Sequence, residues 1–110
     1  MLPNSGYLMA RVAYEIEFTE DAQRDYRNLS APVRATIRDA LEVHLRHEPT
    51  KESKRRIKRM RELRRPQYRL RVADFRVYFD VEDKMVTVLG VVAKASSYRW
   101  LADNSIEDND

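Results

Sequence analysis

Tyr68-Arg69-Leu70-Arg71-Val72 alternates apolar and cationic side chains residue by residue, the period of a strand with one face in a core. Tyr68, Leu70 and Val72 are expected to point inward, and Arg69 and Arg71 to project from the opposite face. The strand closes a basic run: Lys51 to Arg71 holds eleven Lys or Arg against two Glu, a local charge of +9. Arginines fixed on a sheet and fed by a flexible basic loop suit a phosphate-rich ligand, because the guanidinium offers paired, pre-set donors. Arg55, Arg56, Lys58, Arg59, Arg61, Arg64 and Arg65 are the loop's candidates for nucleic-acid contacts.

Working outward, Val12, Tyr14, Ile16 and Phe18 alternate with Ala13, Glu15 and Glu17, which predicts a half-buried first strand. Thr19 is placed as an N-cap, followed by Glu20 and Asp21 where the helix dipole favours acids. Ala22, Tyr26 and Leu29 follow at helical spacing. Ser30-Ala31-Pro32 starts a second helix, with Val33, Ile37, Ala40 and Leu41, then His44 or Leu45, as its apolar stripe up to Pro49. Two helices joined so tightly predict a helical hairpin. Gln67–Ala73 and Phe75–Val81 alternate around a turn at Asp74, and Met85–Ala93 is a nearly continuous apolar run containing Gly90. Such a run reads as a strand covered on both faces. The expected fold is α+β: an N-terminal strand, a helical hairpin, then a mainly antiparallel sheet, in the order β-α-α-β-β-β. The free face of that sheet would carry Arg69, Arg71, Arg76, Tyr78 and Asp80.

Composition sets the bounds. The 110 residues predict one domain over 12–100, preceded by a leader over 1–11 and followed by an acidic tail over 101–110, whose end, Glu107 to Asp110, is expected to be disordered. Met9 is an alternative start to Met1. Charged residues reach 35%, and the net charge of +3 conceals a polarised chain, since Leu101–Asp110 holds four acids and no base. One strongly positive surface is therefore expected, able to attract polyanions or an acidic partner. With no cysteine in the chain, disulfide scaffolds, thiolate catalysis and Cys-type zinc sites are excluded. No apolar run approaches the roughly 20 residues that a bilayer span needs. The N-terminus lacks a signal-peptide pattern. A cytoplasmic location is expected.

Several residues together resemble the RelE/ParE superfamily of type II toxins: Ile57-Lys58-Arg59-Met60, then Tyr68-Arg69-Leu70-Arg71, Phe75-Arg76-Val77-Tyr78, Val91-Val92-Ala93-Lys94 and Tyr98. The likeness runs from about Tyr14 to Tyr98 and is closer to the RelE-like mRNA endonucleases. It implies a ribosome-dependent endoribonuclease with Arg69, Arg71, Arg76, Lys94 and Tyr98 as catalytic residues. It also implies a small, acidic cognate antitoxin, no membrane, and promoter DNA reached only through that antitoxin. Two departures stand out. The family's second basic residue after Lys94 is replaced by Ala95, and Tyr98 matches the family's late tyrosine only across a short gap, Leu101 occupying that place without it. A ParE-like gyrase poison and a non-catalytic, degenerate RNA-binding module remain the alternatives.

RNA cleavage of this kind needs neither metal nor cofactor: the ribose 2′-oxygen attacks the adjacent phosphorus and the 5′-oxygen leaves. Such a site must place cations at the phosphorane and move two protons. Arg69, Arg71 and Arg76 supply charge but are poor bases. Lys94, if crowded by arginines, is a candidate base, since like charges disfavour its protonated form; Tyr98 is the alternative base or the proton donor. Blander readings compete for each feature. The basic run can be a solvated loop, Arg69 and Arg71 can be edge-protecting charges, and Tyr98 and Trp100 can be anchors on the sheet rather than base-stacking platforms. His44 and His47 stand three apart without a matching carboxylate pair and are expected at the surface near a helix end.

Overall fold

The computed structural model describes residues 13–108; the expected leader and start site, with Val12, Asn109 and Asp110, lie outside them. Strand β1 (Glu15–Phe18) leads into helix α1 (Glu20–Arg27) and helix α2 (Ala31–Leu45). Five more strands follow: β2 (Ile57–Arg59), β3 (Leu63–Arg65), β4 (Tyr68–Val72), β5 (Phe75–Glu82) and β6 (Met85–Ala93). A 3-10 turn (Lys94–Ser96), helix α3 (Ser97–Asn104) and β7 (Ile106–Glu107) close the chain.

Local chemistry explains the helical hairpin. The Thr19 hydroxyl accepts from the Ala22 N–H at 3.1 Å, and the Ser30 hydroxyl accepts from Val33 at 3.4 Å. Each satisfies a donor that the first helical turn leaves open. The expected Thr19 cap is in place, and the second helix starts where expected, capped by Ser30 with Pro32 inside its first turn. Helix α2 stops at Leu45, four residues before Pro49.

The main sheet has the order β1-β6-β5-β4-β2, with β1 parallel to β6 and every other pair antiparallel. Ala22, Ile37, Leu41 and Leu45 from the helices meet Leu70, Val72, Val77, Phe79, Val86, Val88 and Val91 from the sheet in one core. Tyr26 belongs to it as expected, edge-on to Phe18 at 5.5 Å between ring centres and donating its hydroxyl to the Arg34 carbonyl at 3.0 Å. The inward set of β4 is the one its alternation predicts: Leu70 and Val72 are buried, while Arg71 is exposed and Arg69 half-buried on the far side.

Three elements depart from the sequence expectations. The basic stretch expected as a flexible loop contains two strands. Ile57–Arg59 pairs with Tyr68–Leu70, and Leu63–Arg65 pairs with Ile106–Glu107. Their apolar members, Ile57 and Leu63, are too few to show a period, so the pairing is a tertiary decision. The expected domain end at residue 100 falls inside α3, and the acidic tail includes a paired strand. The outer edge of β2 is also covered. The Ser53 N–H donates to the Ile57 carbonyl at 3.0 Å and the Glu52 carboxylate accepts from the Arg59 N–H at 2.9 Å, which blunts an otherwise open edge.

Strand β1 pairs with β6 only as far as Val88, so the backbone of β6 beyond that point needs other partners. Helix α1 supplies one: the Asp25 carboxylate accepts from the Val91 N–H at 3.1 Å. Burial holds the Asp25 carboxyl above its ordinary value, opposed by that same hydrogen bond. The folded state therefore binds the Asp25 proton more tightly than the unfolded chain does. The stability this gives is full below the unfolded pKa and is lost as pH rises through the raised folded value. Asp25→Asn, which keeps an acceptor without the charge, is expected to match or exceed the parent at pH 7, the advantage vanishing near pH 3 in thermal melts. Asp25→Ala is expected to cost about 1–3 kcal/mol by orphaning the Val91 N–H.

Candidate RNA-facing arginine site

Strands β4 and β5 bring three arginines onto the face opposite the helices. In the antiparallel register Arg71 stands directly across from Arg76, and Arg69 is flanked by Lys58 on β2 and Tyr78 on β5. Like charges placed directly opposite oppose folding, so this row is held by the core beneath it. Among the described residues none of Arg69, Arg71 and Arg76 has a carboxylate partner within ion-pair distance.

Arg76 is the most buried charge, 7% exposed. Its guanidinium donates to the Phe75 carbonyl at 2.9 Å and to the Ala73 carbonyl at 3.1 Å. Burial lowers its pKa, and the neighbouring Arg69 and Arg71 lower it further; it nonetheless stays a cation. Ala73 sits in the β4–β5 turn with φ of 51°, a left-handed conformation that costs an alanine about 1–2 kcal/mol. The turn thus carries strain while its carbonyl orients the arginine. Arg69 presents a second unmet demand, because its Nε is buried without a hydrogen-bond partner. An anion arriving at this face meets donors already placed, one of which lacks any other acceptor.

The candidate proton carriers, Lys94 and Tyr98, are both exposed. Lys94 is exposed at the end of β6, its N–H bonded to the Asp74 carbonyl at 2.7 Å. Tyr98 is 88% exposed on α3, so it is not the anchor that its sequence position allowed. Trp100 is that anchor. Its ring stacks on Tyr78 with centres 4.7 Å apart and planes 6° from parallel. Tyr78 is thereby buried and withdrawn from the free face, where it had been expected. Asp80 is withdrawn too, accepting from the Gln67 N–H at 2.8 Å and pairing with Arg65 at 3.4 Å.

Gly90 makes the Trp100 contact possible. A β-carbon there would lie 2.5 Å from Trp100 Cε2 and Cζ2, closer than atoms can approach. The glycine was visible in the sequence, but its partner across ten residues was not.

The seven loop candidates divide. Arg59 is committed to the Gln67 and Met60 carbonyls at 2.7 and 2.8 Å and lies over the Tyr68 ring. Arg61 pairs with Glu52 at 3.2 Å and Arg65 with Asp80. Arg55, Arg56, Lys58 and Arg64 are exposed, with no ion pair among the described residues. Those four are the free cations among the seven candidates. On α2, His44 is half-buried; burial, then the nearby Arg56, lowers its pKa. His47 is exposed, and no group of three His, Cys, Asp or Glu side chains among the described residues is placed to hold a metal ion.

A helical hairpin packed on one face of a mainly antiparallel sheet is the fold that the resemblance to RelE-like toxins implies. Residues 16–98 match the family described as the ParE toxin of the type II toxin–antitoxin system parDE. The chain belongs to that family, within the RelE/ParE superfamily. Solved structures agree on the fold. The toxin–antitoxin complex RelBE2 of Mycobacterium tuberculosis contains a chain that is 26% identical, with a TM-score of 0.64, and the match covers 76% of this chain and 94% of that one. Chains in the RelB–RelE complexes of Methanococcus jannaschii and Pyrococcus horikoshii match at 20% and 22% identity. Their TM-scores are 0.57 and 0.56, over 76% and 74% of this chain and 95% and 94% of theirs. No curated protein matches in sequence. The expected superfamily and fold both hold, while the matching family model is the ParE one and the structural neighbours are RelE complexes. No helix among the described residues is long and apolar enough to cross a membrane.

The Gly90 notch is directly testable, because Trp100 is the only tryptophan. Gly90→Ala is expected to push the indole off Tyr78, red-shift its emission and cost about 1–3 kcal/mol through overpacking. An unshifted emission maximum in a folded variant would contradict the stacking geometry.

Proposed function

We propose that this type II toxin acts as a ribosome-dependent mRNA endonuclease, with Arg69, Arg71 and Arg76 as the phosphate-binding and transition-state-stabilising set. The observation that carries the proposal is the three-arginine cluster without carboxylate partners, including a buried Arg69 Nε that has no acceptor. The ribose 2′-oxygen bonds to the adjacent phosphorus, and the bond from phosphorus to the 5′-oxygen breaks. The products are a 2′,3′-cyclic phosphate and a 5′-hydroxyl, so one proton leaves the 2′-hydroxyl and one is delivered to the 5′-oxygen. Lys94 and Tyr98 are the candidates for those two transfers. Both are exposed, which fits a site that needs the ribosome to press the message against it. The arginines' role is electrostatic: donors fixed by the sheet meet negative charge that grows as the phosphorane forms.

A gyrase-poisoning activity is the second reading, favoured by the family that the chain matches. The toxin–antitoxin complex formed by the 26%-identical neighbour supports a cognate antitoxin here as well; on our reading it covers the positive sheet face, and promoter DNA is reached only through it.

Arg71 is the sharpest probe, since Arg76 also serves as a structural donor. Arg71→Ala is expected to reduce cleavage on translating ribosomes by about 10²–10³-fold, the usual cost of one such donor. It should leave stability unchanged or raise it by up to about 1 kcal/mol, by relieving repulsion across the Arg71–Arg76 pair. Primer extension on a defined message in reconstituted translation reads the first effect and thermal melting the second. Full cleavage by the variant would remove the arginine set from the mechanism. No cleavage by the folded parent, together with inhibited supercoiling by gyrase, would establish the second reading. Co-expression with the protein encoded by a neighbouring reading frame is expected to give a complex that survives about 1 M salt, where contacts made by charge alone are screened within about 3 Å.

A further inference from the structure

The acidic end of the chain lies against its most basic segment. Glu107 is paired with Leu63, and Ile106 with Arg65, across an irregular two-stranded ladder. The Asp108 N–H donates to the Glu62 carbonyl at 3.1 Å. Arg61, Glu62 and Leu63 on one side, with Glu107 and Asp108 on the other, line a cleft of about 530 Å³. Neither Glu107 nor Asp108 forms an ion pair among the described residues. Both carboxylates are held beside the basic run by backbone bonds alone, leaving their charge to act on it as a whole.

The attachment is also weak. Strand β7 has two residues, both exposed, with Ile106 46% exposed. A two-stranded ladder of this length is marginal in water, so it opens at small cost while the main sheet stays intact. Arg64, midway along β3, is exposed and unpaired among the described residues.

We propose that Ile106–Asp108 is an acidic strap that competes with RNA phosphates for the basic corner around Arg61–Arg65. Bound to β3, it lowers the local positive potential. A single-stranded polyanion releases it by supplying denser negative charge. The inference rests on the RNA-binding part of the proposed function and not on cleavage.

The test uses a 2′-O-methyl oligouridine, which has no free 2′-hydroxyl and cannot be cut by 2′-oxygen attack. Its affinity is measured by fluorescence anisotropy across a salt series. The parent is compared with a chain ending at Ser105 and with the full-length Glu107→Gln/Asp108→Asn variant. A third variant, Glu20→Gln/Asp39→Asn, makes the same charge change on the exposed helical layer. The shortened and the strap-neutralised proteins are expected to bind about fivefold more tightly near 50 mM salt. Their dependence of log affinity on log salt should steepen by about 0.7 per additional phosphate engaged. The helix-layer control should stay near the parent. Equal gains in the control and the strap variant would overturn the proposal by reducing it to net charge. A gain on truncation with none on neutralisation would overturn it too, since the strap would then act by bulk. If no protein binds the oligonucleotide, the RNA-binding reading fails and the strap loses its competitor; if binding is tight but unchanged by every variant, only the strap proposal fails.

Discussion

The pairing of β5 with β6 and its single break in register govern the molecule. Tyr78 pairs with Gly90 and Phe79 with Val88, so Leu89 is an extra residue on β6. Without it, strict alternation would send Val88 and Val91 to opposite faces. With it, both enter the core beside the helices. The same irregularity puts Gly90 opposite Tyr78 on the far face, where the missing side chain admits Trp100. One added residue thus completes the hydrophobic core on one side and seats the C-terminal helix on the other.

That seat gives the far face its division of labour. Trp100 covers Tyr78, so the aromatic end of the face is dry and structural. An aromatic pair of this kind contributes about 0.5–1.5 kcal/mol beyond the area it buries. The remaining part of the face is cationic, with Arg71 exposed, Arg69 half-buried and Arg76 buried. Arg71 across from Arg76 is an arrangement folding would avoid if stability were the only constraint. The strained Ala73 turn, whose carbonyl holds Arg76, runs in the same direction. Two local costs converge on one charged cluster, as they do where a surface is shaped for a ligand.

Charge is organised by tertiary structure as much as by composition. Of the seven loop candidates, Arg59, Arg61 and Arg65 are tied to carbonyls or carboxylates, which leaves Arg55, Arg56, Lys58 and Arg64 exposed without such partners among the described residues. Glu52 does two jobs there, blunting the β2 edge through the Arg59 N–H and pairing with Arg61. The same segment that looks like a loop from its charge is therefore braced at several points along its backbone.

The local codes in this sequence were sufficient for much of the fold. Thr19 and Ser30 mark helix starts because only a side-chain oxygen can satisfy the open first turn. Tyr68-Arg69-Leu70-Arg71-Val72 declares its two faces because strand side chains alternate without exception until a bulge intervenes. Those codes also placed Arg69, Arg71 and Arg76 on one surface. What they could not carry was any choice settled between distant residues. The pairing of Leu63–Arg65 with Ile106–Glu107, the burial of Tyr78 under Trp100 and the reach of Asp25 to Val91 each join segments more than 20 residues apart. None has a local period to announce it. The sequence by itself determined the helical hairpin, the faces of β1, β4 and β5 and the sign of the exposed surface; the tertiary structure decided the faces of β6 and which charges are free, because each depends on which distant backbone or side chain reaches it first.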